Sequence, residues 1–409
     1  MSEACAVVLG MGPVALTIVR ALGRRGVKVF GVSSCRSEAT LSSKYCKGLG
    51  IADPVHASEK LREILLSFAK RKYGTKKVLY PSGDEYVAFI VDNDNWLKSY
   101  YLYPELCPDV AKLFLSKRHF YTLCRRSFVP TAQTFFPTTI SEARALIGKI
   151  PFPCFLKPEY YHLWREEFGL TKGFLCQNAK EYTQNLDKVA HLIGSILVQE
   201  VIEGLESNLR FLITYIGRNG EPLGLFTGRK IRQYPAQFGT GCAAMSSYEP
   251  ELVEPSLNLL RTAGYKGFAE VEFKWSGRDK QYKAIEVNIR PCRFCALVEG
   301  AGVDLLYRSF LDICGCQVSH CERQRDGVAW FFTTRDILAI LGGLAKKKLR
   351  LSDVTRSYKG PKTWCIWARD DIKPFFTYPV EILVKKLRIT GKRVASKAAI
   401  LLLGKQEKA

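Results

Sequence analysis

The chain has 409 residues, 47% of them hydrophobic, and carries 61 Lys and Arg against 39 Asp and Glu, a formal net charge of +22. That length buries a large core over about two to three domains, and that charge implies an anionic partner: a nucleotide, a phosphorylated substrate, nucleic acid or an anionic membrane. No run of roughly 18 apolar residues suggests a membrane-spanning helix, and the start MSEACAVVLG lacks the basic region and long apolar run of a secretory signal.

CAVVLG reads as a buried strand, MGPVALTIVRALGRRG as a helix and VKVFGVSS as a second strand. This βαβ unit implies a parallel sheet. Gly10 and Gly12 sit at the first strand-to-helix turn like part of a dinucleotide fingerprint. The third glycine is missing, with Ala15 nearby, and no acidic residue ends the second strand, so tight packing at the turn explains them better. Later, VLYP leads into Asp84 and Glu85. These acids either face a ligand crevice at a strand end or favour the first turn of a helix. The 14 cysteines are scattered through apolar segments and read as reduced core residues of a cytosolic protein. The group Cys292, Cys295, Cys314, Cys316 and Cys321 matches no zinc or iron–sulfur spacing well.

From Asp109, DVAKLFLSKRHFYTLCRRSFVP reads as one amphipathic helix with a basic interior. FPCFLKPEYY is a strand ending in Lys157-Pro158, FGLTKGFLCQN a glycine-containing hairpin turn, and SILVQEVIEG a strand leading to Gly204. NLRFLITYIGRNGEPLGLFTGRKIRQYP gives long strands about the turn RNGEP, and PSLNLLRTAGY is a helix. Then FAEVEFKWSGRDKQYKAIEVNIRP reads as two strands with a polar turn at Ser276 to Lys280. Alternation puts Glu270 and Glu272 on one face of the first strand, and Glu286 and Asn288 on one face of the second. Pairing brings Glu272 close to that second face. A surface hairpin with Lys274 and Lys283 as cross-strand partners would explain the lysines but not the apolar residues flanking the acids. Carboxylates beside a neutral oxygen suit Mg²⁺, a hard cation. Without metal, carboxylates about 4 Å apart repel, and one pKa rises.

Lys117, Lys157, VQEVIEG, Glu272 and the run Glu286-Val287-Asn288-Ile289-Arg290 occur in that order. The ordered set resembles the ATP-grasp superfamily. FTGRKIRQYPAQFGTG resembles its carboxylate–amine ligase group, which includes D-aspartate ligases, and the resemblance covers roughly residues 1–318. It implies an α/β fold with α+β character in the ligase core. Residues 1–108 would form a parallel βαβ pre-ATP-grasp domain, and 109–318 an ATP-grasp domain of two α+β subdomains, with the lid at about 150–200. Residues 319–409 would be a basic C-terminal region.

The resemblance also implies ATP and two Mg²⁺ ions, with Mn²⁺ as a substitute, bridged to the phosphates by Glu272, Glu286 and Asn288. Glu270 would stand behind them. Lys157 and Lys117 would contact the phosphates; the alternatives are a snorkelling strand-end lysine and a solvated helix face. EEFGLTKGF would cover the phosphates, with Gly169 and Gly173 permitting close backbone approach and Lys172 sharing the phosphate contact, although its glycines are sparser than in other ATP-grasp enzymes. His162 nearby reads as structural rather than as a proton shuttle. Around Gln199, the hinge would lay adenine against Val198 and Ile202. Backbone groups of Glu200 and Val201 or Ile202 would read its edge, and Glu206, or less well Glu203, would accept the ribose hydroxyls. Lys230 would reach the γ-phosphate. Alternation puts Arg232 on the face of Lys230, where its planar fork suits a substrate carboxylate or phosphate. Arg290 would hold the attacking carboxylate and stabilise the developing oxyanion.

The implied reaction joins a small-molecule carboxylate to an amine through an acyl phosphate, releasing ADP and phosphate. The alternatives are a biotin-carboxylase-like carboxylation, though no biotinyl domain is visible, and a non-catalytic nucleotide or nucleic-acid binder. From Lys346 to Ala409 there are 17 Lys and Arg against 5 Asp and Glu. That region reads as a helix packed on the core, or as a basic amphipathic helix on an anionic membrane at the inner face of a cytoplasmic enzyme. No recognised motif supports specific nucleic-acid binding.

Overall fold

The computed structural model describes residues 4–71, 73, 76–159, 164, 167–168, 172–236, 239–321, 323–385 and 387. The N-terminal apolar runs form a parallel sheet in the order β3-β2-β1-β4: β1 (Ala4–Leu9), β2 (Lys28–Ser33), β3 (Cys46–Ile51) and β4 (Lys76–Pro81). Residues 5–9 are buried throughout, as expected for a strand covered on both faces. At the turn after β1, Gly10 has φ +82°, and a Cβ there would lie 2.5 Å from both Ser82 Oγ and the Tyr86 ring. The adjacent Met11 amide donates to Glu38 Oε2 at 3.0 Å. Packing and an internal carboxylate therefore account for this turn.

A small antiparallel sheet, β5-β8-β6-β7, comprises β5 (Thr134–Phe135), β6 (Cys154–Pro158), β7 (Phe174–Cys176) and β8 (Ile196–Glu200). Its own core gathers Leu156, Trp164, Tyr182, Leu186 and Val198. The central sheet has seven strands in the order β13-β12-β9-β10-β11-β14-β15. They are β9 (Leu209–Ile216), β10 (Pro222–Tyr234), β11 (Thr240–Ser246), β12 (Gly267–Ser276), β13 (Gln281–Asn288), β14 (Ala329–Phe331) and β15 (Lys362–Trp364). Residues beyond 319 thus supply two strands of this sheet, and Trp330, Phe332 and Cys365 lie in the same core as β1 and β9.

The single helix expected from Asp109 is two helices, Pro108–Leu115 and Lys117–Arg126. Ser116 between them is extended (φ −97°, ψ 124°), and its hydroxyl donates to Glu159 Oε1 at 2.9 Å. A buried serine offered that bond competes with the helix. The break makes Lys117 the first residue of the second helix.

The C-terminal helix beginning at 373 is docked on the N-terminal domain. Arg20 Nε donates to Asp371 Oδ2 at 2.9 Å, with both side chains buried, and Ser43 Oγ donates to the same oxygen. Arg24 holds Asp370, and the Ala39 amide donates to Glu381 Oε2 at 2.8 Å. Among the described residues, no helix is long and apolar enough to cross a membrane. Asp371→Ala should strand the buried Arg20 and destabilise the chain by about 3–5 kcal/mol in urea unfolding. The double change Arg20→Met with Asp371→Leu should cost less, because no uncompensated charge remains.

Candidate active site

The register of β12 and β13 sets Glu272 opposite Glu286 and Glu270 opposite Asn288. Glu270 and Glu272 are buried. Lys230 Nζ, on β10, donates to Glu272 Oε2 at 2.6 Å. Glu270 Oε2 accepts from Asn288 Nδ2 at 2.9 Å, while its Oε1 is shielded from solvent with no hydrogen-bond partner. Burial, then the neighbouring Glu272, pushes the Glu270 carboxyl up to about 7. Glu286 is open to solvent. Desolvation opposes its charge, but Lys172, Lys230, Lys117 and Lys157 together hold its carboxyl below the ordinary range. Lys274 and Lys283 face each other across the hairpin but do not neutralise these acids. Lys274 Nζ donates to the Ile202 carbonyl at 2.6 Å, and Lys283 Nζ to Glu200 Oε1 at 2.5 Å.

Lys157 lies near the end of β6, and its Nζ donates to Gln199 Oε1 at 2.8 Å. Burial, then Lys117 and Lys172, pushes its ammonium down to about 7. Gln199 is fixed in turn, because its amide nitrogen donates to Tyr121 Oη and Thr134 Oγ1. The expected nucleotide residue Gln199 therefore orients a lysine, a role that Tyr121 and Thr134 share without any signal in the sequence. Lys117 Nζ donates to the Pro158 carbonyl at 2.9 Å, and burial lowers its pKa. Lys172 is exposed. Gly173 has φ +141°, and a Cβ there would lie 2.2 Å from the Leu156 carbonyl, so its glycine serves the β6–β7 pairing. Gly169, His162 and the rest of that turn at 169–171 lie outside the described residues.

At the hinge several of the expected groups have partners within the chain. The Glu200 amide donates to the Gln133 carbonyl at 2.9 Å and the Val201 amide to the Pro153 carbonyl at 3.1 Å, so neither amide is left to read a base edge. The Ile202 carbonyl is engaged by Lys274. Burial works against the charge of Glu200, but hydrogen bonds from Lys283 and Arg278 outweigh it and hold the carboxyl low. Glu206, expected to receive ribose hydroxyls, accepts the Gln233 amide at 2.8 Å.

Arg232 is also corrected. The β10–β11 register shifts on both sides of it, and it is buried. Its Nε and Nη2 grip Asp336 at 2.6 and 2.9 Å, and its Nη1 donates to Ser357 Oγ. A fork committed to that pair is not available to a substrate. Arg290 Nε donates to Asp84 Oδ1 at 2.7 Å, and its Nη2 lies 3.4 Å from Asn288 Oδ1. Asp84 is thus both a first-turn helix acid and a neighbour of the cleft.

Lys172, Lys230, Lys117 and Lys157 all favour the charged form of one carboxylate, Glu286. This excess of cation suits a polyphosphate. Among the described residues, no three His, Cys, Asp or Glu side chains come together to hold a metal by themselves. Glu272, Glu286 and Asn288, with an unpartnered oxygen of Glu270 behind them, fit Mg²⁺, which takes few protein ligands and completes its shell with phosphate and water.

No family model matches the chain. It is 26% identical over 260 residues to the D-aspartate ligase of Enterococcus faecium, covering 59% of this chain and 61% of that protein. It is 26% identical over 184 residues to the carbamoyl phosphate synthase large chain of Clostridium botulinum, covering 42% and 16%. The chain therefore spans less than two thirds of these curated relatives. Among solved structures, it matches biotin carboxylase from Campylobacter jejuni with TM-score 0.58 at 17% identity, covering 79% of this chain and 74% of that one. It matches L-amino acid ligase from Bacillus licheniformis with TM-score 0.58 at 12% identity, covering 76% and 75%. N5-carboxyaminoimidazole ribonucleotide synthetase from Thermus thermophilus matches with TM-score 0.58 at 13% identity, covering 77% and 79%. The chain has the ATP-grasp fold.

The shifted groups predict a pH signature. Between about pH 4.5 and 7 the folded Glu270 binds a proton that the unfolded chain releases, so stability falls as pH rises. Between about pH 7 and 10.5 the unfolded Lys157 binds a proton that the folded chain releases, so stability rises with pH. Each slope is at most about 1.4 kcal/mol per pH unit. In thermal melts of the ligand-free protein, Glu270→Gln should flatten the first limb and Lys157→Met the second.

Proposed function

We propose that the chain is an ATP-dependent carboxylate–amine ligase that works through an acyl phosphate. The observation that carries this reading is the set of four lysines around Glu286 beside the buried acids of β12 and β13. The names of the D-aspartate ligase and the L-amino acid ligase support the reaction class.

In this reading Lys117, Lys157 and Lys172 hold the ATP phosphates, and Lys230 exchanges Glu272 for the γ-phosphate. Glu272, Glu286 and Asn288 would hold Mg²⁺, as two ions, with Mn²⁺ as a substitute. When bound, the metal would supply positive charge that offsets the negative charge of the ATP phosphates. The Arg290 guanidinium, aimed by Asp84, orients the substrate carboxylate. A carboxylate oxygen attacks the γ-phosphorus, ADP leaves, and an acyl phosphate forms. The amine nitrogen then attacks the acyl carbon, phosphate departs, and the nitrogen loses a proton. Ile202 packs against adenine. Positioning and charge neutralisation supply most of the acceleration. The biotin carboxylase and carboxyaminoimidazole synthetase likenesses favour a second reading, in which bicarbonate is the activated carboxylate.

The site would work in the cytoplasm, near a membrane face. On the docked C-terminal helix, Phe376, Val380, Leu383 and Leu387 are exposed at helical spacing, continuing from Ile372. From Lys373 to Ala409 there are 9 Lys and Arg against 2 Asp and Glu. An apolar stripe among basic residues suits the interface of an anionic bilayer.

Glu286→Gln should lower ADP release by about two orders of magnitude or more while leaving the fold intact; wild-type ADP release would sink the metal assignment. Across panels of carboxylates and amines, ADP release should rise only when both partners are present. Stimulation by bicarbonate without an amine would select the carboxylation reading. The full chain should co-sediment with vesicles containing anionic lipid, and salt should weaken this. Equal sedimentation with neutral vesicles would remove the membrane contact.

A further inference from the structure

We infer that Arg293 and Arg335 form a second anion site, beside the ATP cleft, that receives a carboxylate or phosphate group carried by the amine acceptor. This rests on the ligase reading and adds to it the chemical class of the acceptor. Arg293 Nε and Nη1 are shielded from solvent and have no hydrogen-bond partner. After burial, the groups that act most strongly on Arg293 are Cys365, Arg335, Tyr378 and Arg290, with no carboxylate among them. Other inward-facing guanidiniums of this chain differ: Arg20 has Asp371, Arg232 has Asp336 and Arg290 has Asp84.

Arg335 shares the surroundings of Arg293. The two guanidinium carbons lie 5.3 and 5.4 Å from the centroid of one ring, Phe332. Stacking on that ring satisfies none of the N–H donors. Arg335 sits in the first turn of the helix Thr333–Ala345, where the aligned peptide dipoles also favour an anion. Beside it, Thr334 Oγ1 is shielded and has no partner. Two adjacent guanidiniums repel, and withdrawing donors from water without replacement costs about 1–3 kcal/mol per group. An anion with several acceptor oxygens relieves both penalties.

The position suits the second substrate. Arg293 follows Arg290 by three residues, so the two backbone positions are at most about 11 Å apart. The next residue, Phe294, stacks on Phe211 with centroids 4.5 Å apart, and Phe211 is the register partner of Glu272. Arg293 and Arg335 remain partly open to solvent, which gives an acceptor a way in. The donor carboxylate already has Arg290.

The test uses the full chain saturated with a non-hydrolysable ATP analogue and Mg²⁺, so that the lysine cluster is occupied. Inorganic phosphate and succinate are titrated at constant ionic strength against chloride, reading the thermal midpoint. In the wild type at least one probe should raise the midpoint saturably, and the stronger probe shows whether the site prefers phosphate or carboxylate. Arg293→Gln with Arg335→Gln should abolish the response and leave nucleotide affinity unchanged. Arg335→Gln alone should weaken the probe about tenfold, the loss of one charge-assisted bond, and it serves if the double variant does not fold. No response beyond chloride, or an equal response in the variants, overturns the site. In turnover, Arg335→Gln should raise KM for anionic amines about tenfold and leave KM for neutral amines unchanged; an equal effect on both overturns the acceptor assignment. A response that depends on Arg293 and Arg335, in a protein whose ADP release no carboxylate–amine pair stimulates, leaves the anion site standing and removes the ligase reading.

Discussion

Two acidic strands lie side by side under a crowd of lysines, and that charge arrangement constrains the rest of the molecule. Glu270, Glu272, Glu286 and Asn288 meet because β12 and β13 pair in one register. Slipping it by one residue would turn every acid to the other face. Burial, with the neighbouring carboxylates adding to it, raises the proton affinity of Glu270, and burial among lysines lowers that of Lys157. Neither cluster is comfortable alone in a protein interior. Lys230 bridging to Glu272 relieves part of the strain, and a polyphosphate with a divalent cation would relieve the remainder.

The hinge keeps the lysine side of this arrangement in place. Lys283 and Arg278 neutralise Glu200, Lys274 holds the Ile202 carbonyl, and Gln199 aims Lys157. All four contacts join the small antiparallel sheet, or the segment that leaves it, to the hairpin that carries the acids or to its own lysine. A movement of that sheet would therefore shift Lys157 and the hinge together. The positive charge of the hairpin stabilises the hinge rather than its own acids, which leaves those acids for other partners.

Long-range ion pairs close the remainder of the fold around the cleft. Asp84 reaches Arg290 from the N-terminal domain, Asp336 takes Arg232 from the helix after β14, and Asp371 takes Arg20 from just before the last described helix. Where both partners are buried, as for Arg232 with Asp336 and Arg20 with Asp371, removing one leaves a charge without solvent, so these pairs favour a single arrangement of distant segments. Against these satisfied guanidiniums, the bare donors of Arg293 stand out.

Much of the architecture follows from local pattern. The parallel β1–β2 unit, the strand ending at Lys157 and the acidic hairpin are legible because apolar runs and period-two alternation are properties of a few consecutive residues. The alternation that put Glu270 with Glu272 and Glu286 with Asn288 is a consequence of the pleat alone. Other features depend on which distant segment arrives. Arg232 reads as a substrate-facing residue until the bulge in β10 delivers it to Asp336, 104 positions away. The amides of Glu200 and Val201 look available until the residues just before β5 and β6, Gln133 and Pro153, take them. Ser116 breaks a helix that its own periodicity would continue, because Glu159 accepts its hydroxyl. The sequence by itself determined which residues share a face, since that is set by backbone geometry over a few ångströms. Only the tertiary structure decided which of those side chains already have partners, since a hydrogen bond or ion pair is settled by whatever the folded chain brings within about 3 Å.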